Sequence, residues 1–193
     1  MSISIFNPVI DWMKQPSQSL EPYRTPFQYP GSGLYLRKIT DDVQIKFSIS
    51  LTSLTKKAES DILSFFFNHK GRLNAFWVPV PKNYFTATVD IGTTDTLIRI
   101  KDVSPIWLRG YERCFILRND GTLFFNKIIG LTSSTLTIDA PLGQTCKVNE
   151  IIIFGKMIYA RFDQDEIVMQ HTTTAISECD LSFIELPKET PLS

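Results

Sequence analysis

Residues 55–81 read TKKAESDILSFFFNHKGRLNAFWVPVP, and they hold the one convincing helix of the chain. Thr55 suits the cap, because its hydroxyl oxygen accepts from a free N–H of the first turn. Glu59 and Asp61 fall near the positive end of the aligned peptide dipoles. Ala58, Ile62, Leu63, Phe65 and Phe66 follow at three- and four-residue spacing and make a broad apolar face. Lys70 stands near the negative end, and Gly71 supplies the left-handed residue that stops the turn. Three adjacent phenylalanines cannot share one face. Phe65 or Phe67 must therefore meet a second surface, in a partner chain or in a core that wraps the helix on both sides. From Leu73 to Val78 the pattern returns to strand, and Pro79 and Pro81 end it.

Toward the N-terminus, Val43, Ile45, Phe47, Ile49 and Leu51 alternate with polar residues, the clearest strand signal in the sequence. One face is buried and the other wet, as in an antiparallel sheet. Leu34–Ile39 is a second strand, and a turn at Asp41-Asp42 would join the two as a hairpin. Before them, Pro8, Pro16, Pro22, Pro26 and Pro30 are mixed with Phe6, Trp12, Tyr23, Phe27 and Tyr29. Prolines at that density exclude a long helix and interrupt strand ladders. The aromatics are too many for a solvated tail. Residues 1–33 are thus expected to form an extended arm lying on a surface, its own or a neighbour's.

Toward the C-terminus the texture turns to short strands rich in threonine and isoleucine, at 85–91, 96–101, 112–118, 122–131, 134–139 and 150–154. Turn signals separate them, and Asp120-Gly121 between apolar runs is a strong hairpin cue. Strands so closely spaced suggest a small barrel or sandwich. Lys156 opens a last group, with strands expected at 157–162, 167–174 and 179–186. These complete a sheet with the first hairpin, since two strands and a helix alone cannot bury their apolar faces. The expected fold is mainly β with one principal α-helix. A discontinuous β-rich domain, 34–83 plus 156–193, is interrupted by a small inserted β module, a barrel or sandwich, at 84–155.

With 193 residues, 43% of them hydrophobic, the chain has material for a real core. Twenty basic and twenty acidic residues cancel, which gives no electrostatic footprint for nucleic acid or an anionic membrane. No basic region precedes an apolar run at the N-terminus, so no secretion signal is expected there. No stretch approaches the ~20 apolar residues of a membrane span. Cys114, Cys146 and Cys179 lie far apart, without metal or redox spacing. His69 at the helix end suits a dipole partner better than a base. His171 has the strand parity of Ile167 and Met169, and nothing in the sequence orients Cys179 toward it as a nucleophile. Asp163, Asp165 and Glu166 read as a solvated turn. Neither a phosphate loop nor a dinucleotide fingerprint is present. The chain is therefore read as having no catalytic residues, no cofactor and no metal.

The helix followed by Phe66-Phe67-Asn68-His69-Lys70-Gly71-Arg72-Leu73-Asn74-Ala75-Phe76-Trp77-Val78-Pro79 resembles a segment of the distal tail, or tail-tip hub, proteins of long non-contractile-tailed bacteriophages. Ser134–Leu142 is similar to part of the small β module such proteins carry. Ala160-Arg161-Phe162-Asp163-Gln164-Asp165 with the strands up to Pro187 is similar to their C-terminal closure. The likeness covers about residues 35–187, and the order and spacing of its motifs are its stronger part. It implies a β-sandwich-like ring domain interrupted by a small inserted β-barrel (OB-like) domain, in a structural virion protein and not an enzyme. Such a protein forms a ring, usually hexameric, between the tail tube protein and the hub, fibre and receptor-binding proteins, and it is assembled in the host bacterial cytoplasm. Interfaces are enriched in aromatic residues, which makes Trp12, Tyr23, Phe27, Tyr29, Phe65, Phe67 and Trp77 the candidate subunit contacts. An alternative reading is a β-rich carbohydrate-binding module or hydrolase accessory domain. Its ligand would sit in the insert on Trp107, Arg109 and Tyr111, unless Trp107 packs between domains.

Overall fold

The computed structural model of the chain describes residues 4–7, 17–28, 34–80, 82–101, 113–171, 173 and 176–186. In chain order the elements are β1 (Ser17–Gln28), β2 (Leu34–Leu54), α1 (Lys56–Asn68), β3 (Phe76–Pro79), β4 (Thr86–Ala87), β5 (Leu97–Lys101), β6 (Arg113–Arg118), β7 (Leu123–Leu131), β8 (Thr135–Ile138), β9 (Ile151–Phe162), β10 (Gln170–His171) and β11 (Ser177–Glu185). The expectation of a mainly β chain with one helix is met, α1 being the one α-helix among the described residues. The chain divides into two compact units. A helix-bearing unit comprises Phe6–Phe76 and Tyr159–Glu189, and a second unit comprises Met1–Ile5, Trp77–Ile158 and Thr190–Ser193.

In the helix-bearing unit β1 pairs with β2, β2 with β11, and β11 with the last residues of β9, all antiparallel. The alternation read in β2 becomes the inner face of this sheet. Ile45, Phe47, Ile49 and Leu51 are buried, as are Cys179, Leu181 and Phe183 across the ladder. Phe47 and Phe183 are register partners and stack with ring centroids 5.0 Å apart. The other face is polar, tied by Ser48–Ser182 at 2.9 Å and by Ser50 donating to Asp180 at 2.6 Å. Buried Glu185 accepts from the Ile45 amide at 3.0 Å, so a side chain closes the ladder where strand pairing ends.

Two expectations need correction here. Leu34–Leu54 is one strand, not a hairpin turning at Asp41-Asp42. β1 runs alongside both halves, with Arg24 opposite Lys38 and Pro22 opposite Val43. The residues between become a bulge, which absorbs extra chain without reversing it. The prolines of residues 17–28 do not prevent a ladder either. β1 pairs only with β2 among the described strands, and at a sheet edge a proline that lacks its N–H need not cost a ladder bond.

The second unit is a succession of antiparallel pairs. β9 pairs with β6, β6 with β7, β7 with β8, β8 with β5 and β5 with β4. The chain just before β4 returns to β9, where the Phe154 carbonyl accepts from the amides of Tyr84 and Phe85 at 3.0 and 3.1 Å. These two bonds tie the chain before β4 to β9, although β4 and β9 share no ladder among the described residues. The interior is apolar, with Ile98, Ile100, Cys114, Ile116, Leu136 and Ile138 all buried. Asp120-Gly121 makes the β6–β7 turn, with Gly121 at φ +83°. The expected separate strands at 150–154 and 157–162 are one strand, β9, because Ile153–Ile158 is buried throughout and offers no turn residue at Lys156. Of the strand expected at 167–174, the part that forms among the described residues is the two residues of β10, and 172 and 174 lie outside the described residues.

Candidate assembly surface

The helix is built as its sequence demands. Thr55 Oγ1 accepts from the Ala58 amide at 3.3 Å, and Ile62 and Phe66 are its buried residues. At the far end Lys70 and Gly71 are both left-handed, at φ +53° and +58°, and the Gly71 amide reaches the Phe66 carbonyl at 3.2 Å. His69 caps from the side: its Nδ1–H donates to the Phe65 carbonyl at 2.8 Å, and its ring stacks on Phe65 with centroids 4.1 Å apart.

The three phenylalanines divide two inward, one outward. Phe65 meets the rings of Phe76 at 4.9 Å and Phe6 at 5.2 Å, while Phe66 meets Phe162 at 4.8 Å. Edge-on and tilted contacts at these distances are the favoured geometry of aromatic clusters. Phe67 is 70% exposed, and Leu73, past the Gly71 turn, is 74% exposed. The second surface that the triple phenylalanine requires is therefore the Phe6 and Phe76 rings for half-buried Phe65, and lies outside the core for Phe67.

Trp77 is in the second unit and is 4% exposed. The Arg113 guanidinium lies over its ring at 5.5 Å, and its amide donates to the Ser4 carbonyl at 2.9 Å. Its surface is taken up within its own chain. Tyr23 and Phe27 belong to β1, opposite Phe27 lying Tyr35. Trp12, Tyr29, Trp107, Arg109 and Tyr111 lie outside the described residues.

The acidic turn has a partner that sequence reading missed. Arg72 donates to the Asp163 carbonyl at 2.7 Å and lies 3.5 Å from the Asp165 carboxylate, while Lys46 lies 3.6 Å from Asp163. All are partly exposed, so these pairs position the turn more than they stabilise it. His171 meets Ser177, not Cys179. Its Nδ1 is 2.9 Å from Ser177 Oγ, and that hydroxyl donates to Glu59 Oε2 at 2.6 Å. A carboxylate can only accept, so the serine proton points to Glu59 and the imidazole must donate from Nδ1. That is the reverse of a nucleophilic triad, in which the serine proton faces the histidine. No spacing in the sequence announces this relay, because Glu59 and Ser177 are 118 positions apart.

The thiols are quiet. Burial pushes Cys114 up to about 12. Burial, then the nearby Asp180 and Glu59 charges, push Cys179 to about 11. Cys146 is raised as well, first by burial. Thiols of this kind are poor nucleophiles. Among the described residues no cluster of histidine, cysteine and carboxylate groups has a metal-binding arrangement. No helix there is long and apolar enough to cross a membrane. Compared with known proteins, the chain matches no family model, and no curated protein matches it.

Proposed function

We propose that this chain is a structural component of a bacteriophage tail tip. It forms a ring, hexameric by analogy with the family it resembles, that joins the tail tube to the hub and receptor-binding parts after assembly in the host cytoplasm. The observation that carries the reading is the exposure of Phe67 and Leu73 on either side of the Gly71 turn. Both lie within the segment that carries the resemblance. Large apolar side chains grouped at one helix end, beside a well-filled core, suit contact with another chain. A ring needs two different patches per subunit, and the α1 end supplies one of them.

The test is the state of association. Light scattering after size exclusion should give a multiple of the chain mass, and electron microscopy should show closed rings. Phe67→Ser with Leu73→Ser should shift the material to monomer while its circular dichroism spectrum stays the same. A wild-type monomer at high concentration, with no ring in any particle, would sink the proposal.

A further inference from the structure

We propose that residues 164–171 form a strap across the flank of β11, pinned by side chains at both ends, and that its His171 end is the one that opens. Among the described residues, β11 has strand partners on this flank only at its two ends. β9 pairs with Phe183–Glu185, and β10 pairs with Ser177 and Glu178. Between them the chain leaves the ladder, and the Gln164 side chain takes the place of a strand. Its Oε1 accepts from the Ser182 amide at 3.0 Å, and its Nε2 donates to the Asp180 carbonyl at 3.4 Å. Under the strap lies an open cavity of about 490 Å³, lined by Ser50, Thr52, Gln164, Glu178 and Cys179 among others.

The two ends are not equally held. At the Gln164 end the Asp163 amide also donates to the Ser182 carbonyl at 2.8 Å, and Arg72 grips the Asp163 carbonyl. A Cβ on Gly71 would lie 3.5 Å from the Gln164 carbonyl, so that turn packs close to the strap. At the other end β10 contributes two residue pairs, and a ladder so short is marginal by itself. What adds to it is the relay from His171 through Ser177 to Glu59 on α1, with Ser177 only 3% exposed. Losing the relay would release His171 from Ser177 and leave the two-pair ladder to hold this end alone, which favours local opening there.

Cys179 reports on that end. It shares the inner face of β11 with Ser177, lines the cavity, and is close enough to Glu59 to feel its charge. Cys114 and Cys146 sit buried in the other unit and serve as internal controls. The native chain is treated with a chromogenic aromatic disulfide, and the modified cysteine is identified by peptide mass spectrometry. Ser177→Ala and, separately, His171→Ala should speed modification of Cys179 about tenfold, the factor one lost hydrogen bond carries. Cys114 and Cys146 should keep their wild-type rates. His171 is exposed, so its substitution leaves the fold intact even if Ser177→Ala does not. Gln164→Ala should have the smaller effect. Nitrogen NMR should show neutral His171 as the Nδ1–H tautomer, which a merely packed histidine has no reason to favour. Acceleration of all three thiols together, an unchanged Cys179 in both relay variants, a larger effect from Gln164→Ala, or an Nε2–H tautomer would each overturn the strap.

Discussion

At the scale of single residues, Gly155 carries more constraint than any turn glycine among the described residues. A Cβ there would lie 2.5 Å from Phe115 Cε1 and 2.8 Å from the Lys82 carbonyl oxygen. Phe115 is fully buried and the carbonyl is backbone, so neither can give way cheaply. Gly155→Ala should therefore destabilise by about 1–3 kcal/mol in urea melts, the usual cost of overfilling a core. Gly143 tests the contrast: its φ is +74°, yet nothing lies within 4 Å of the added atom. Gly143→Ala should cost only the left-handed backbone, about 1 kcal/mol. The thiols give a second test. An unfolded thiol ionises near its ordinary value of 9.0, whereas folded Cys114 holds its proton to about 12. Between those values the folded state binds more protons than the unfolded one, so stability falls as pH rises. Below pH 9 the contribution is fully present. Melts of Cys114→Ala across that alkaline window should show a shallower decline than wild type; an identical slope would remove Cys114 as the source.

At the scale of elements, α1 shows which features were legible. The Thr55 cap, the apolar face and the Gly71 stop follow from local rules, and the structure keeps all three. Thr55→Ala should cost about 1 kcal/mol, as lost N-caps do. Phe65→Ala should cost about 2–3 kcal/mol, less than a fully buried ring, and Phe67→Ala under about 0.5 kcal/mol in the same urea melts. Equal losses would mean the two rings are not divided between core and surface. What the sequence could not give was which phenylalanine turns outward, because that depends on Phe6, Phe76 and Phe162 arriving from distant segments. The β1–β2 bulge was hidden for a similar reason. Asp41-Asp42 has turn chemistry, but the partner strand on both sides of it is decided by register with β1. The relay depends on a further bulge. Ser177 pairs with Leu54 and Cys179 with Leu51, so β2 holds an extra residue, and Ser53 takes it up at φ +57°. That offset sets Ser177 beside the start of α1, within reach of Glu59. No local pattern encodes it.

At the scale of the whole molecule, the second unit is the part most able to stand alone. Its two chain crossings are bonded to each other, the Val80 amide donating to the Lys156 carbonyl at 3.0 Å. Segments whose ends meet in this way tolerate excision and insertion. Residues 77–158 expressed separately should give a β-type circular dichroism spectrum and one cooperative thermal transition. A featureless melt would show that the unit needs the rest of the chain.

The pairing of β2 with β11 also has a consequence in time. Ser50 and Asp180, bonded across that ladder, are 130 positions apart, and Glu185 lies 140 positions from the Ile45 amide it accepts from. A ribosome delivers β2 early and β11 last, so β2 waits through the synthesis of most of the chain. The long segment of the second unit, Trp77–Ile158, is delivered before β11 exists. The order of emergence thus lets the inserted unit fold first and the enclosing sheet close afterwards. During the wait, β2 is a long strand with an open edge and an apolar face. The nascent chain is at its most vulnerable to mispairing then, between the birth of Leu54 and the birth of Ser177.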